Sequence, residues 1–256
     1  MLVVTDDEPA LARRTARTVR ERLLSVREQL RPDLKVPDAA LNEALAMTGG
    51  PIVVNDMSDN PGGGGAGDST GLLGPMLAMS QAIRERSAAE GLQPGTFGFV
   101  FDPEVARLAH EAGVGATIQC RLGAKTDDRH GVPLAVTAYV KCLTDGQFVQ
   151  TSPMGRGTQV DLGKTARLVI DGIDVLVASV RTQTQDDEVF RLHGIDVTRY
   201  KLVLLKSANH FRAAFEPLAR AIVTADGPGL SARDVRLWPY QNLRRPLWPF
   251  DPVDRA

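Results

Sequence analysis

The sequence predicts an α/β protein: a parallel-core βαβ sheet flanked by helices, with an antiparallel β block over about residues 115–180 inserted into it or appended to it. Three observations carry that reading. An apolar run, Ile52-Val53-Val54, leads through a glycine loop and an amphipathic stretch from Leu72 to Ile83 to a second apolar run, Thr96 to Phe101. That order is strand, helix, strand, which favours parallel pairing. Beyond Gly115 the period shortens to two, with Leu134, Val136, Ala138, Val140 and Cys142 alternating against Thr137, Tyr139 and Lys141. The pairs Asp145-Gly146 and Asp171-Gly172 each sit between β-rich runs, and Asp-Gly is a strong hairpin signal; about five strands are expected in this block.

Taken in order, the chain opens on a helix expected from Asp7 to Leu30. Pro9 suits its first turn after an aspartate cap, and Ala12, Ala16, Val19, Leu23, Val26 and Leu30 form one apolar stripe. Seven arginines between Arg13 and Arg31, interspersed with Glu21 and Glu28, read as a solvated face rather than a nucleic-acid contact. Only the short run Leu2-Val3-Val4 precedes this helix, so residues 1–36 read as the tail end of a preceding domain plus a linker marked by Pro32 and Pro37. Residues 37–256 then form the main domain, and the uncovered stripe predicts an interface.

Asp38 caps a short helix that stops at Gly49-Gly50, and the helix after the glycine loop is expected from about Ser69 to Arg86. Asp102-Pro103 starts another, ending at Gly113. A short helix is expected at Val189 to Leu192. Leu202 to Leu205 is the continuous apolar run of a buried parallel strand, followed at once by Lys206-Ser207-Ala208-Asn209-His210 and a helix carrying Phe211, Phe215 and Leu218. The terminal prolines and aromatics, with Trp238, Tyr240, Trp248 and Phe250, read as an extended tail that buries its rings.

Composition removes several function classes. Lys and Arg total 30 against 31 Asp and Glu in 256 residues, so no net field draws the chain to nucleic acid or to an anionic membrane. No apolar run reaches the roughly 18 residues of a membrane helix, and the amino terminus lacks the pattern of a secretory leader. The expectation is a cytoplasmic protein. Cys120 and Cys142 lie on the apolar faces of strands and read as buried free thiols.

The chemistry gathers at the loop Asp59 to Thr70, which holds five of the 24 glycines. Gly62, Gly64 and Gly67 satisfy G-x-G-x-x-G, but the strand ends too early and no acidic residue stands at the spacing a dinucleotide site needs. Gly62 to Ser69 also mimics a P-loop with Asp68 where the lysine belongs, and a carboxylate there repels phosphate. A non-catalytic anion-binding module using Gly62–Gly67 is the alternative reading. The histidines His110, His130, His193 and His210 are scattered with no ligand spacing, so no metal site is expected in this chain. Ser207 reads as a helix cap, while Lys206 and His210 stand at a strand end where α/β proteins place substrate groups.

Four separated stretches carry a family resemblance: Asp59-Asn60-Pro61-Gly62-Gly63-Gly64-Gly65; Val114 to Thr117 with Leu122 to Asp127; Arg181-Thr182-Gln183-Thr184; and Lys206 to Pro217. In this order they resemble the C-terminal domain of the microcystinase C (MlrC)-like zinc metallopeptidases, from about Ile52 onward. The resemblance implies a hydrolase in which zinc activates water against a peptide or peptide-like amide. It places the zinc ligands in an N-terminal domain that this chain largely lacks, so none is carried over and this chain alone is expected to be inactive. Its partners would be that metal-binding domain, or another chain supplying it, and a peptide-like substrate, with a homo-oligomer as a further possibility. No catalytic residue is expected in this chain, His210 and Lys206 being the candidates for a contribution to catalysis; the substrate-facing groups expected here are Asp59, Asn60, Gly62, Gly63, Gly64, Gly65, Arg181, Gln183, Lys206 and His210.

Overall fold

The computed structural model describes residues 2–30 and 35–252. Arg31, the last of the seven arginines, and Pro32, the first linker marker, lie outside the described residues. The chain divides into two compact units, Leu34–Arg233 and Met1–Asp33 together with Asp234–Ala256.

In the larger unit, α2 (Pro37–Ala46) precedes β1 (Ile52–Asp56), and the glycine loop leads to α3 (Leu73–Ala78) and α4 (Ser80–Ala89). β2 (Gln93–Phe101) and α5 (Pro103–Ala112) follow, then β3 (Thr117–Leu122) and β4 (Leu134–Thr144). A separate two-stranded ribbon is made by β5 (Gln147–Val149) and β6 (Gln159–Asp161). The chain then returns to the main sheet as β7 (Thr165–Ile170) and β8 (Ile173–Ala178), passes α6 (Glu188–Arg191), and enters β9 (Tyr200–Lys206), α7 (Arg212–Phe215) and β10 (Ala221–Ala225).

The eight-stranded sheet has the order β10-β1-β9-β2-β8-β7-β4-β3. The pairs from β10 to β8 are parallel and those from β8 to β3 antiparallel, so the predicted antiparallel block is appended to the parallel core at β8. Alternation along each strand divides the apolar residues between two faces. Ile52, Val54, Leu202 and Leu204 pack with Leu41, Leu73, Met76, Ile83 and Ala109 of α2 to α5. Val53, Val203 and Leu205 pack on the other side with Phe190, Phe211 and Phe215.

Several local expectations are corrected. β1 and β2 are not neighbours, because β9 lies between them. The helix after the glycine loop is two pieces broken at Met79, and the one after His210 is a single turn. Asp171-Gly172 closes the β7–β8 hairpin with both residues at positive φ, whereas Asp145-Gly146 joins β4 to β5, which do not pair. Gly146 instead receives the Leu162 amide on its carbonyl. β10 is an additional strand; its run Ala221–Ala225 is short and lies at the sheet edge.

In the smaller unit, α1 (Pro9–Val26) continues as a 3-10 turn, Arg27–Leu30. Its N-cap is Glu8 without a side-chain hydrogen bond, not the expected aspartate. None of its residues is buried, and the stripe residue Leu23 is 48% exposed. The aromatic tail is less buried than expected: Tyr240 is exposed and stacks edge-on against Phe250 at 5.6 Å, while Trp248 Nε1 donates to Glu28 Oε1 at 3.0 Å.

Candidate functional site

The parallel strands all end on one edge, where α/β proteins place their ligands. Register sets the first contact there: Asp56, the last residue of β1, lies beside Lys206, the last of β9. Lys206 is 2% exposed, and its Nζ donates to Ser69 O at 2.8 Å, Asp59 Oδ2 at 3.0 Å and Asp56 Oδ2 at 3.3 Å. Asp59 is fully buried and collects the amides of Gly67 and Ser69, each at 2.7 Å. Burial alone would raise its pKa, but the Lys206 ammonium and those two amides hold its carboxyl below the ordinary value. Burial likewise pushes Lys206 down, and Asp59 with Asp56 outweighs it, so the ammonium is held above its ordinary value.

The glycines serve this carboxylate. A Cβ on Gly65 would lie 2.7 Å from Asn60 N and 2.8 Å from Asp59 Oδ1, so only glycine lets the loop wrap so closely. The loop's amides are committed within the protein: Gly62 N donates to Asn60 Oδ1, Gly63 N and Gly65 N to Asn60 O, and Gly64 N to Pro61 O. A phosphate would have to displace these bonds and the buried Asp59. Asp68, in the place of a P-loop lysine, accepts from Lys125 N, Thr126 N and Thr126 Oγ1 on its Oδ2, tying the Leu122 to Asp127 stretch to the loop.

A second cluster adjoins the first. Gln183 Nε2 donates to Ser207 Oγ at 2.6 Å, and its Oε1 accepts from His210 Nδ1 at 3.0 Å, with the amide so assigned. A Cβ on Gly62 would fall 2.2 Å from the same Gln183 Oε1. His210 is exposed, and with Nδ1 holding the proton toward Gln183 its Nε2 keeps a lone pair. Ser207 is not the expected helix cap, since α7 starts only at Arg212.

Of the ten substrate-facing candidates, Gly62, Gly63, Gly64, Arg181 and His210 are exposed at this edge. Gln183 is buried and links His210 to Ser207. Asp59, Asn60, Gly65 and Lys206 lie beneath and support the loop. Sequence reasoning missed Asp56 and His130. His130 is fully buried, with Nδ1 donating to Asp127 Oδ1 at 2.7 Å, Nε2 accepting from Leu230 N at 3.3 Å, and Asp59 Oδ1 3.5 Å from Nε2. The signal for Asp56 was present in its position at the end of a continuous apolar strand; a lone histidine in a loop gave none.

The donor set among the described residues does not fit a metal. Among the described residues no three His, Cys, Asp or Glu side chains are grouped to hold one. His110 contacts Thr165 O, and His193 is spent on Thr165 Oγ1 and Val189 O. No helix among the described residues is long and apolar enough to cross a membrane.

Known proteins resemble this chain in sequence and in fold. Microcystinase C from Sphingomonas sp. is 29% identical over 215 residues, covering 84% of this chain and 39% of that protein. A crystal structure of a "putative metallopeptidase" from Mesorhizobium sp. BNC1 superposes with a TM-score of 0.75 at 26% identity, over 92% of this chain and 45% of the other. The chain therefore spans less than half the length of both. The family described as MlrC C-terminus matches residues 54–242, which take in the glycine loop, Gln183, Lys206 and His210, and the chain belongs to that family.

Proposed function

We propose that this domain forms one wall of the cleft of a zinc metallopeptidase or amidohydrolase acting on peptide or peptide-like amides. The metal and its ligands belong to a metal-binding half outside this sequence. The observation that carries the reading is a division of features: a built, polar strand edge with exposed loop backbone and an exposed imidazole, and no metal-ligating group of three among the described residues.

The chain's own residues then bind and orient. Gln183, fixed by Ser207, holds the His210 ring in one tautomer, so that its Nε2 faces outward as a hydrogen-bond acceptor toward substrate. The buried Lys206–Asp59 pair keeps the glycine loop in place beside it. The rival reading, an anion-binding module, loses support because the loop amides already donate to Asp59, Asn60 and Pro61.

The test is to assay the chain alone with added zinc against a fluorogenic peptide library, then joined to the part of a Microcystinase C-like protein that precedes the matched region. Background rates alone and chelator-sensitive cleavage when joined are expected. Cleavage by the isolated chain at an ordinary enzymatic rate would overturn the division of labour.

A further inference from the structure

We infer that the cavity between the β5–β6 ribbon and the segment 182–186 is the subsite for one bulky, uncharged apolar side chain of the substrate. This rests on the peptide-like reading above and adds a specificity site to it.

The cavity has a volume of about 380 Å³. Small-molecule pockets run from about 300 to 1,000 Å³, so this one suits a single large side chain rather than a folded partner. Phe99, Phe148, Met154, Val160, Leu162 and Val189 give it apolar walls. Much of its polar lining is already committed. Gln150 Nε2 donates to Gln185 Oε1 at 2.7 Å, and Thr184 Oγ1 donates to Gly98 O at 2.7 Å. Asp186, the charged residue of the lining, accepts Thr151 N and Ser152 N on Oδ2 and Glu188 N on Oδ1.

These bonds have two consequences. They pin the loop after β5 to the segment before α6, so the ribbon is held across the cavity instead of collapsing into it. They also leave no counter-charge for an anionic occupant, which would meet the Asp186 carboxylate, and the oxygens of that carboxylate are already taken up by three amides. Burying a charge without a partner is costly, whereas an apolar group gains by leaving water. The cavity adjoins the proposed cleft wall, since Gln183 lines it and also holds Ser207 and His210. Met154, 41% exposed, supplies a pliable wall able to adapt to different apolar shapes.

The experiment titrates the full 256-residue chain with N-acetyl-phenylalanine amide, N-acetyl-leucine amide, N-acetyl-glutamate amide and N-acetyl-lysine amide. It follows the methyl NMR signals of Met154, Val160, Leu162 and Val189. Saturable shifts at these methyls with the two apolar amides, and none with the charged pair, are expected. Met154→Trp, which fills the cavity from an exposed position, should weaken the apolar amides about tenfold or more. Absence of shifts with the apolar amides, equal shifts with the charged ones, or shifts centred elsewhere would overturn the subsite. Hydrolysis by the joined enzyme with no such shifts removes the subsite and leaves the hydrolase reading intact; shifts without hydrolysis do the reverse.

Discussion

Lys206 Nζ sits 3.0 Å from Asp59 Oδ2 with both side chains sealed from solvent, so a strand end and the glycine loop are joined by a buried ion pair. The ammonium also bonds Asp56 and the Ser69 carbonyl, which satisfies its three donors. Such a pair adds little when compared with apolar replacements, but removing one partner leaves an uncompensated buried charge. Lys206→Met is therefore expected to cost about 3–5 kcal/mol in urea unfolding. Asp59→Asn should cost a similar amount, and the two changes together less than their sum. A Lys206→Met protein within about 1 kcal/mol of the parent would show that the cluster does not hold the loop.

The same pair sets a pH window, and the two signs differ. Asp59 is held below its ordinary 3.8, so its contribution is full above that value and lost as pH falls through the lower folded value. Lys206 is held above its ordinary 10.5, so its contribution is full below 10.5 and lost as pH rises through the higher folded value. Unfolding free energies measured across pH should show that contribution constant between these limits. The Lys206→Met protein should lose the alkaline dependence that comes from this lysine. An alkaline limb of equal size in both proteins would assign it to other groups.

These relationships explain what was legible in the sequence. The parallel core could be read because β1 and β9 are continuous apolar runs, and the antiparallel edge because β4 alternates. Strand order could not be read, since nothing local in Ile52 to Phe101 says that β9 enters between β1 and β2. The same limit applied to the site. The glycine run signalled a close backbone approach, but the approached group, Asp59, lies in the same loop, and its partner Lys206 is supplied by tertiary pairing. His130 reaches the cluster from a loop between β3 and β4 with no periodic signal at all.

Gly65 and Gly62 should fail differently. At Gly65 a Cβ meets the backbone nitrogen of Asn60 and the carbonyl carbon of Asp59, neither of which can retreat, so Gly65→Ala should cost about 1–3 kcal/mol or more. At Gly62 the obstacle is the end of the Gln183 side chain, which can rotate. Gly62→Ala should cost less stability than Gly65→Ala while losing the Gln183–His210 contact. Paired denaturation curves, with the His210 ring signals followed by NMR, check both. Equal destabilisation at the two positions would refute the distinction.

Metal removal should leave this domain unchanged. A bound ion stabilises the state that binds it, increasingly as its concentration rises above Kd, and no ligand set of three exists among the described residues. The thermal midpoint of the isolated chain is expected to be the same after dialysis against a chelator and after addition of zinc. A midpoint that rises with zinc concentration would reveal a site made by this chain and place metal chemistry within it.

His210 separates stability from function. Its ring is exposed and is anchored by the bond to Gln183 Oε1, so His210→Ala should change the unfolding free energy by no more than about 0.5 kcal/mol. If Nε2 meets substrate in the joined enzyme, the same change should lower kcat/KM by about a hundredfold where it exchanges a proton, and by less where it only accepts a hydrogen bond. Gln183→Ala should follow in the same direction, because it frees the ring and leaves Ser207 without its donor. It should also cost stability, because Gln183 is buried. Full activity in His210→Ala would remove the imidazole from the cleft and leave the exposed loop backbone as the surface this domain offers to substrate.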